Sequence, residues 1–324
     1  MKAVRFHEFG SEDVLRLEEI PEPTPSPSET LVRIKAVAVN PADLVIRAGH
    51  WRLWPIPLPF VLGVEGAGIV EKGRGRFKAG DQVIVSGGPL GSRTDGLYAE
   101  LVAVPETLLV PVPKGISLEQ AATVPSAFLT AYLALLHTAR LKAGEWALVT
   151  GASGGVGGAA VQVAKALGAQ VITTVGSQAK HAKAEALGAD YVIDLSSERM
   201  AETVQRVTNG SSVEVGLDTL GGDIVAQVLA TLMPGGRLVM VGYTAGPSAT
   251  LNIFDLLKPI NLYGFNLFAI PSEIVGAAYA QILAWLADGT IQPVVDRTLP
   301  LAQAAEAHRH MAARQAFGRV VLTM

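Results

Sequence analysis

The stretch that most limits what this 324-residue chain can fold into runs from Trp146 to Gly157. Trp146-Ala-Leu-Val-Thr150 is apolar and β-prone, and Gly151-Ala-Ser-Gly-Gly-Val-Gly157 follows it directly. Helical periodicity begins at once and leads to a second apolar run at Gln170–Val175. The spacing is that of G-x-G-x-x-G, with Ala152 in the first place, Gly154 in the second and Gly157 in the third. A bare glycine triplet could be a tight turn and nothing more. A strand, loop, helix and strand in register predict a dinucleotide-binding loop. Its backbone comprises Ala152, Ser153, Gly154, Gly155, Val156 and Gly157. Gly154 lets a pyrophosphate approach the backbone, Gly157 lets helix and strand pack closely, and the helix N-terminus offers N–H groups and the positive end of its dipole.

The alternation continues. Helices over Val156–Leu167, Ala179–Leu187, Glu198–Val207 and Ile224–Leu232 separate strands at Trp146–Thr150, Gln170–Val175, Tyr191–Ile193, Val213–Leu217 and Arg237–Val241. A further strand is predicted at Asn261–Phe265 and a long helix at Ser272–Asp288. Such a pattern calls for an open parallel sheet covered on both faces, doubly wound by right-handed crossovers. The first third differs. It carries short β-type runs at Ala3–Phe6, Leu31–Val39, Ala67–Val70, Gln82–Val85 and Leu101–Val104, separated by Pro and Gly. Pro21, Pro23, Pro25 and Pro27 suggest a stiff surface turn between strands. Ser117 with Gln120 has capping-box spacing, and Pro125 interrupts the helix it opens, so a second helix should begin near Ser126. A short helix near Ala302–Ala313 precedes a strand at Arg319–Leu322, which has the character of the N-terminal region and should return to its sheet.

Nearly half the residues are hydrophobic and the formal net charge is −3, which gives no basic footprint for nucleic acid. No apolar run reaches about 18 residues, so no membrane span is expected. Met1–Arg5 does not read as a signal peptide. The expectation is a soluble cytoplasmic protein. There is no cysteine, hence no disulfide and no thiolate zinc site.

The end of the second strand selects the cofactor. An NAD-selective site carries Asp or Glu about 20 residues past the loop, on the ribose 2′-OH. That position is Gly176, followed by Ser177 and Lys180. No carboxylate repels a 2′-phosphate there, Ser177 can donate to one and Lys180 can supply charge. Ser177 can also be a helix cap and Lys180 a surface lysine; caps and anion sites share geometry. NADPH is the expected cofactor.

Several short segments in this order resemble the medium-chain dehydrogenase/reductase superfamily, and more closely its zinc-independent quinone oxidoreductases, the zeta-crystallin branch. They are Asn40-Pro-Ala-Asp43, Gly63-Val-Glu-Gly-Ala-Gly68, Gly80-Asp-Gln-Val83, Gly96-Leu-Tyr-Ala-Glu100, Ala121-Ala-Thr-Val-Pro125 with Thr130-Ala-Tyr132, the 151–157 loop and Leu187-Gly-Ala-Asp190. The resemblance spans essentially the whole chain. It implies an α/β protein: a GroES-like, β-rich catalytic domain (1–122 and 267–324) and a doubly wound Rossmann cofactor domain (123–266). Zinc-dependent members place metal ligands where this chain has Asn40, Val64 and Ser126, and their zinc-holding lobe is replaced by the short Ser86–Gly96 segment. Among the six histidines, His308 and His310 are closest in sequence. Two residues apart on a helix they face different ways, and they read as solvated surface residues.

The resemblance further implies a nicotinamide in a cleft between the domains, lined by Asn40, Asp43 and Thr130. Asn40 would offer an amide donor to a carbonyl oxygen, and Thr130 a hydrogen bond near the nicotinamide. Asp43 either lines the site or braces the loop after Asn40. Gly242, Tyr243, Phe265 and Leu267 would contact the nicotinamide half. Arg314 is either a further 2′-phosphate ligand or a solvated helix-end arginine. Two departures stand out: Trp51 follows Arg47-Ala-Gly49-His50 where members often carry tyrosine, and Leu195 stands where some hold the 2′-phosphate with tyrosine. Trp51 is either a substrate contact or loop packing; Trp54 and Phe60 read as packing. The expectation is a homodimer, joined along the edge around Asn261–Leu267, that reduces a quinone-type acceptor by direct hydride transfer from NADPH without a metal. An NADPH-dependent enone or alkenal reductase and a non-catalytic NADPH-binding protein are the alternatives.

Overall fold

From residue 146 onward the alternation folds as a six-stranded sheet in which every neighbouring pair is parallel. The computed structural model describes residues 1–324. In sheet order the strands are Tyr191–Asp194, Gln170–Val175, Trp146–Val149, Val213–Asp218, Leu232–Met240 and Asn261–Gly264. Read in chain order this is 3-2-1-4-5-6, the doubly wound arrangement. The strands are nearly continuous apolar runs because helices cover both faces of a parallel sheet. Leu148, Ile172, Ile193, Val213 and Leu238 are fully buried against Val204, Val228 and Leu229 of the flanking helices.

The chain divides into two units: Met1–Ser126 with Pro293–Met324, and Ala127–Gln292. This differs from the division at 122/123 and 266/267 expected from the sequence, chiefly because residues 267–292 belong with the parallel sheet. The helix Ser272–Ala287 buries Ala278, Ile282 and Leu286, spaced by four on one face. Trp285 meets Tyr132 edge-on at 5.6 Å, and Gln292 exchanges hydrogen bonds with Gln162 (3.0 and 2.7 Å).

The other unit is β-rich. Seven strands form its main sheet: Val295–Pro300, Arg319–Thr323, Glu29–Ala38, Glu65–Lys72, Gln82–Ser86 and Leu109–Pro111 in order, with Leu101–Pro105 also on Glu29–Ala38. The C-terminal strand returns antiparallel to Glu29–Ala38, as its composition suggests. A second sheet joins Arg16–Glu19, Lys2–Phe6 and Phe60–Val61. Phe6, Ile34, Phe60, Leu97 and Tyr98 are fully buried between these elements. The proline-dense stretch is an irregular, largely exposed connection between two strands. Pro125 lies in the first turn of the helix Val124–Tyr132, where its missing N–H has no helical partner to lose. Val295–Pro300 escapes sequence reading because Asp296-Arg297-Thr298 is polar and the strand sits at a sheet edge. No helix is long and apolar enough to cross a membrane.

Candidate cofactor and acceptor site

The glycine loop leaves the strand Trp146–Val149 and opens the helix Gly155–Ala166. Gly151 turns the chain with φ +71°, a conformation costly for any residue with a Cβ. No side chain caps this helix, so the first N–H groups remain for a ligand. The two signature glycines differ. A Cβ on Gly157 would lie 2.1 Å from the carbonyl oxygen of Gly151, which forces glycine for packing. A Cβ on Gly154 would meet nothing closer than that same oxygen at 3.4 Å, so its Cα faces open space. That space is the room a pyrophosphate needs, and the loop fits a dinucleotide on this ground.

At the end of Gln170–Val175, Gly176 is exposed and nothing lies within 4 Å of where its Cβ would be. Ser177 precedes the short turn Gln178–Lys180 but makes no side-chain cap bond to it. Capping therefore does not account for this serine. Beyond Val213–Asp218 and Leu232–Met240 two loops are laced together. Ala245 N–H donates to Leu220 O (2.6 Å), and a Cβ on Gly242 would meet Thr219 O at 2.1 Å. Tyr243 projects from this ledge, 55% exposed. Phe265 N–H pairs with Met240 O (3.0 Å), and Leu267 starts a single turn capped by Asn266.

In the β-rich unit the candidate residues gather at the start of the helix Pro41–Arg47. Asn40 is the N-cap and is 5% exposed. Its Nδ2 donates to Ala38 O (3.1 Å) and to Glu65 Oε1 (2.8 Å), and its Oδ1 accepts from Arg319 Nη2 (2.8 Å). Both amide hydrogens are thus committed. The donor expected to meet a carbonyl oxygen is used inside the protein, because Glu65 is fully buried and needs partners. Arg319 pairs with Glu65 Oε1, and Glu65 Oε2 accepts from the N–H of Ser126 (2.6 Å). One carboxylate thereby joins Asn40 and Ser126, two of the three positions compared with metal ligands. The third, Val64, offers no donor atom. No three His, Asp or Glu side chains gather where an ion could be held.

Asp43 is fully buried. It accepts from the N–H groups of Asn40 (2.8 Å) and Gly63 (3.2 Å) and from Tyr98 Oη (3.5 Å). It is the brace of the loop after Asn40. Burial raises its carboxyl to about 7, with the nearby Glu65 acting in the same sense, against the pull of those N–H groups. The bonds continue outward: Tyr98 Oη meets His308 Nε2 (3.0 Å), and His308 Nδ1 meets Arg47 Nη1 (3.1 Å). Arg47 can only donate, so Nδ1 accepts, Nε2–H donates to Tyr98, and Tyr98 donates to Asp43. Burial, then the Arg47 charge, lowers the His308 imidazole to about 3.

The histidines are therefore not solvated surface residues. His308 is fully buried and His310 is 8% exposed, the latter paired with Asp296 (2.8 Å). They point to different partners, as their spacing requires, but the helix Ala304–Ala312 buries both directions. Trp51 stacks edge-on against Trp54 at 5.5 Å. Trp54 is held by Arg93 over its ring (4.1 Å) and donates to Ser92 O (2.5 Å), and Phe60 is core, so both are packing residues. Arg314, exposed with φ +54°, ends the last helix. Asn40 and Asp43 are directly bonded, while Thr130 is a buried residue of Val124–Tyr132 in the other unit. Sequence reasoning misses Glu65, Tyr98 and Arg319. The signal for Glu65 is legible, a lone carboxylate inside the apolar and glycine run 63–70.

Residues 26–114 match the alcohol dehydrogenase GroES-like domain family, and residues 155–287 match the zinc-binding dehydrogenase family. The chain is similar to a quinone oxidoreductase of Pseudomonas aeruginosa, 37% identical over 99% of each chain. Among solved structures it is similar to Escherichia coli quinone oxidoreductase complexed with NADPH, with 33% identity, full coverage of both chains and a TM-score of 0.89. It is equally similar to a structure described as an NAD-dependent alcohol dehydrogenase, with 33% identity, full coverage of both and a TM-score of 0.91.

Proposed function

The chain is an oxidoreductase belonging to the quinone oxidoreductase family of the medium-chain dehydrogenase/reductase superfamily, and on that premise we propose that it reduces a quinone-type acceptor with NADPH, by direct hydride transfer and without zinc. The observation that carries the proposal is the Asn40–Glu65–Arg319 knot. Its oxygens and amide are consumed by one another, and the side chain of Val64, next to Glu65 in the chain, has no lone pair to give. A hydride acceptor for such a site must be electrophilic before it binds, and a quinone is. Bound NADPH supplies the hydride; solvent supplies the proton.

The preference for NADPH is supported by Gly176, Ser177 and Lys180, where no carboxylate meets the 2′-phosphate, and by the NADPH in the E. coli relative. Gly154 admits the pyrophosphate and the uncapped helix end faces it. Thr130 contacts the reacting groups, Asn40 lines the site with its amide held by Glu65 and Arg319, Asp43 holds the Asn40 loop, and Gly242, Tyr243, Phe265 and Leu267 flank the nicotinamide half. Arg314 is a second candidate for the 2′-phosphate. We also propose a homodimer. The strand Asn261–Gly264 pairs on one side only, and Leu262 and Tyr263 on it are exposed, as are Ile253, Phe254 and Leu257 shortly before it in the chain. Turnover of NADPH with a simple quinone and with an enal, measured side by side, tests the function. Reduction of the enal alone would replace the quinone reading with an alkenal reductase, and no turnover of either would leave a binding protein.

A further inference from the structure

Asp218 ends the strand Val213–Asp218 and is fully buried, yet no role so far described uses it. Its Oδ1 accepts from the hydroxyl of Thr150 (2.7 Å) and from Leu220 N–H (3.2 Å), and its Oδ2 accepts from Gly221 N–H (2.8 Å). Thr150 is the last residue before the glycine loop. It is tied again to the next strand: its Oγ1 accepts from Thr219 N–H (2.9 Å), and its O accepts from Thr219 Oγ1 (2.8 Å). Leu220 and Gly221 are in turn laced to the ledge that carries Gly242 and Tyr243. Ala245 N–H donates to Leu220 O, Gly222 N–H donates to Gly246 O (3.0 Å), and a Cβ on Gly221 would meet the Tyr243 Cα at 2.7 Å. The main-chain oxygen of Asp218 also accepts from Val241 N–H (2.8 Å), just before that ledge.

One carboxylate therefore sits under two loops that the proposed function gives to the pyrophosphate and to the nicotinamide half of the dinucleotide. Resting on that reading, we propose that Asp218 is a positioning residue: acting through Thr150 and Gly221, it holds the Ala152–Gly157 loop and the Gly242–Tyr243 ledge in one register. A carboxylate suits this place because every neighbour is a donor. Asparagine, of the same shape, would turn an NH2 toward at least one of them and leave donors facing each other. The adenosine end, at Gly176–Lys180, lies on a different strand and makes none of these bonds.

The experiment compares two ligands on the intact protein by calorimetric titration: NADPH, which spans both loops, and adenosine 2′-monophosphate, which carries the 2′-phosphate but no 5′-phosphate to reach the glycine loop. In Asp218→Asn, NADPH should bind at least tenfold more weakly than in wild type, while the monophosphate changes by less than twofold. Thr150→Val should move NADPH in the same direction by a smaller factor, and Thr150→Ser should restore it. Equal weakening of both ligands would mean a general loss of fold and would overturn the proposal; so would NADPH binding that neither variant alters. If Asp218→Asn does not fold, Thr150→Val decides alone, and wild-type NADPH affinity in it overturns the proposal. Wild-type protein that fails to bind NADPH overturns the functional reading together with this one, whereas wild-type binding with unaffected variants overturns this one only.

Discussion

Acidification should act on this protein through two buried groups of opposite sign, and replacing His308 should separate them. His308 titrates near 6.5 when unfolded and at about 3 in the folded chain. Between those values the unfolded state binds a proton that the folded state refuses, so stability falls as pH falls. Asp43 does the reverse. Its folded carboxyl is raised from 3.8 to about 7, so the folded state takes up a proton first and stability rises as pH falls through that window. Over each pH unit in which the two states differ by one bound proton, stability changes by about 1.4 kcal/mol. From pH 6.5 to 4 the His308 contribution costs on the order of 3 kcal/mol and the Asp43 contribution offsets most of it. The wild-type profile should be shallow there. In His308→Gln the loss disappears and the gain remains. The variant, whatever its stability at pH 7, should then gain about 3 kcal/mol relative to wild type on going from pH 6.5 to 4. Urea titrations at half-unit pH steps measure this, and NMR of the histidine rings should show His308 silent above about pH 4. Parallel stability profiles for variant and wild type, or a His308 ring that titrates near 6.5, would refute the reasoning.

Gly157→Ala should destabilise the Ala127–Gln292 unit in thermal unfolding, because its methyl would stand 2.1 Å from Gly151 O; Gly154→Ala, with open space, should leave the unfolding midpoint within a degree or two yet weaken NADPH binding at least tenfold. Arg319→Met should cost about 3–5 kcal/mol in denaturant titration, since it leaves the Glu65 carboxylate buried without its cation. Lys180→Ala should weaken NADPH by roughly one to two decades and NADH hardly at all, from a charge-assisted bond of about 1.5–3 kcal/mol. Gly176→Asp, which the open space around Gly176 accommodates, should reverse the preference; equal effects on both cofactors would move the phosphate role to Arg314.

The parallel sheet is legible in the sequence because its signals are local: apolar runs of strand length, a glycine loop between strand and helix, and helical spacing in between. The same locality explains the return of Arg319–Thr323 to the first sheet, whose composition it shares. What stays hidden depends on residues far apart in the chain. Asn40 reads as a donor to substrate because nothing near it in sequence shows that Glu65 and Arg319, 25 and 279 residues away, take up its amide. His308 reads as surface because a polar residue on a short helix usually is; Arg47 and Tyr98, at 261 and 210 residues' separation, bury it. The helix Ser272–Ala287 is legible at the right residues, but its allegiance to the parallel sheet rests on Tyr132 and Gln162.

The most direct test of the central claim is quinone-dependent oxidation of NADPH by the purified protein after exhaustive chelation. The account predicts an undiminished rate, less than stoichiometric bound zinc and little oxidation of primary alcohols. Activity that vanishes with the chelator and returns with zinc would contradict it.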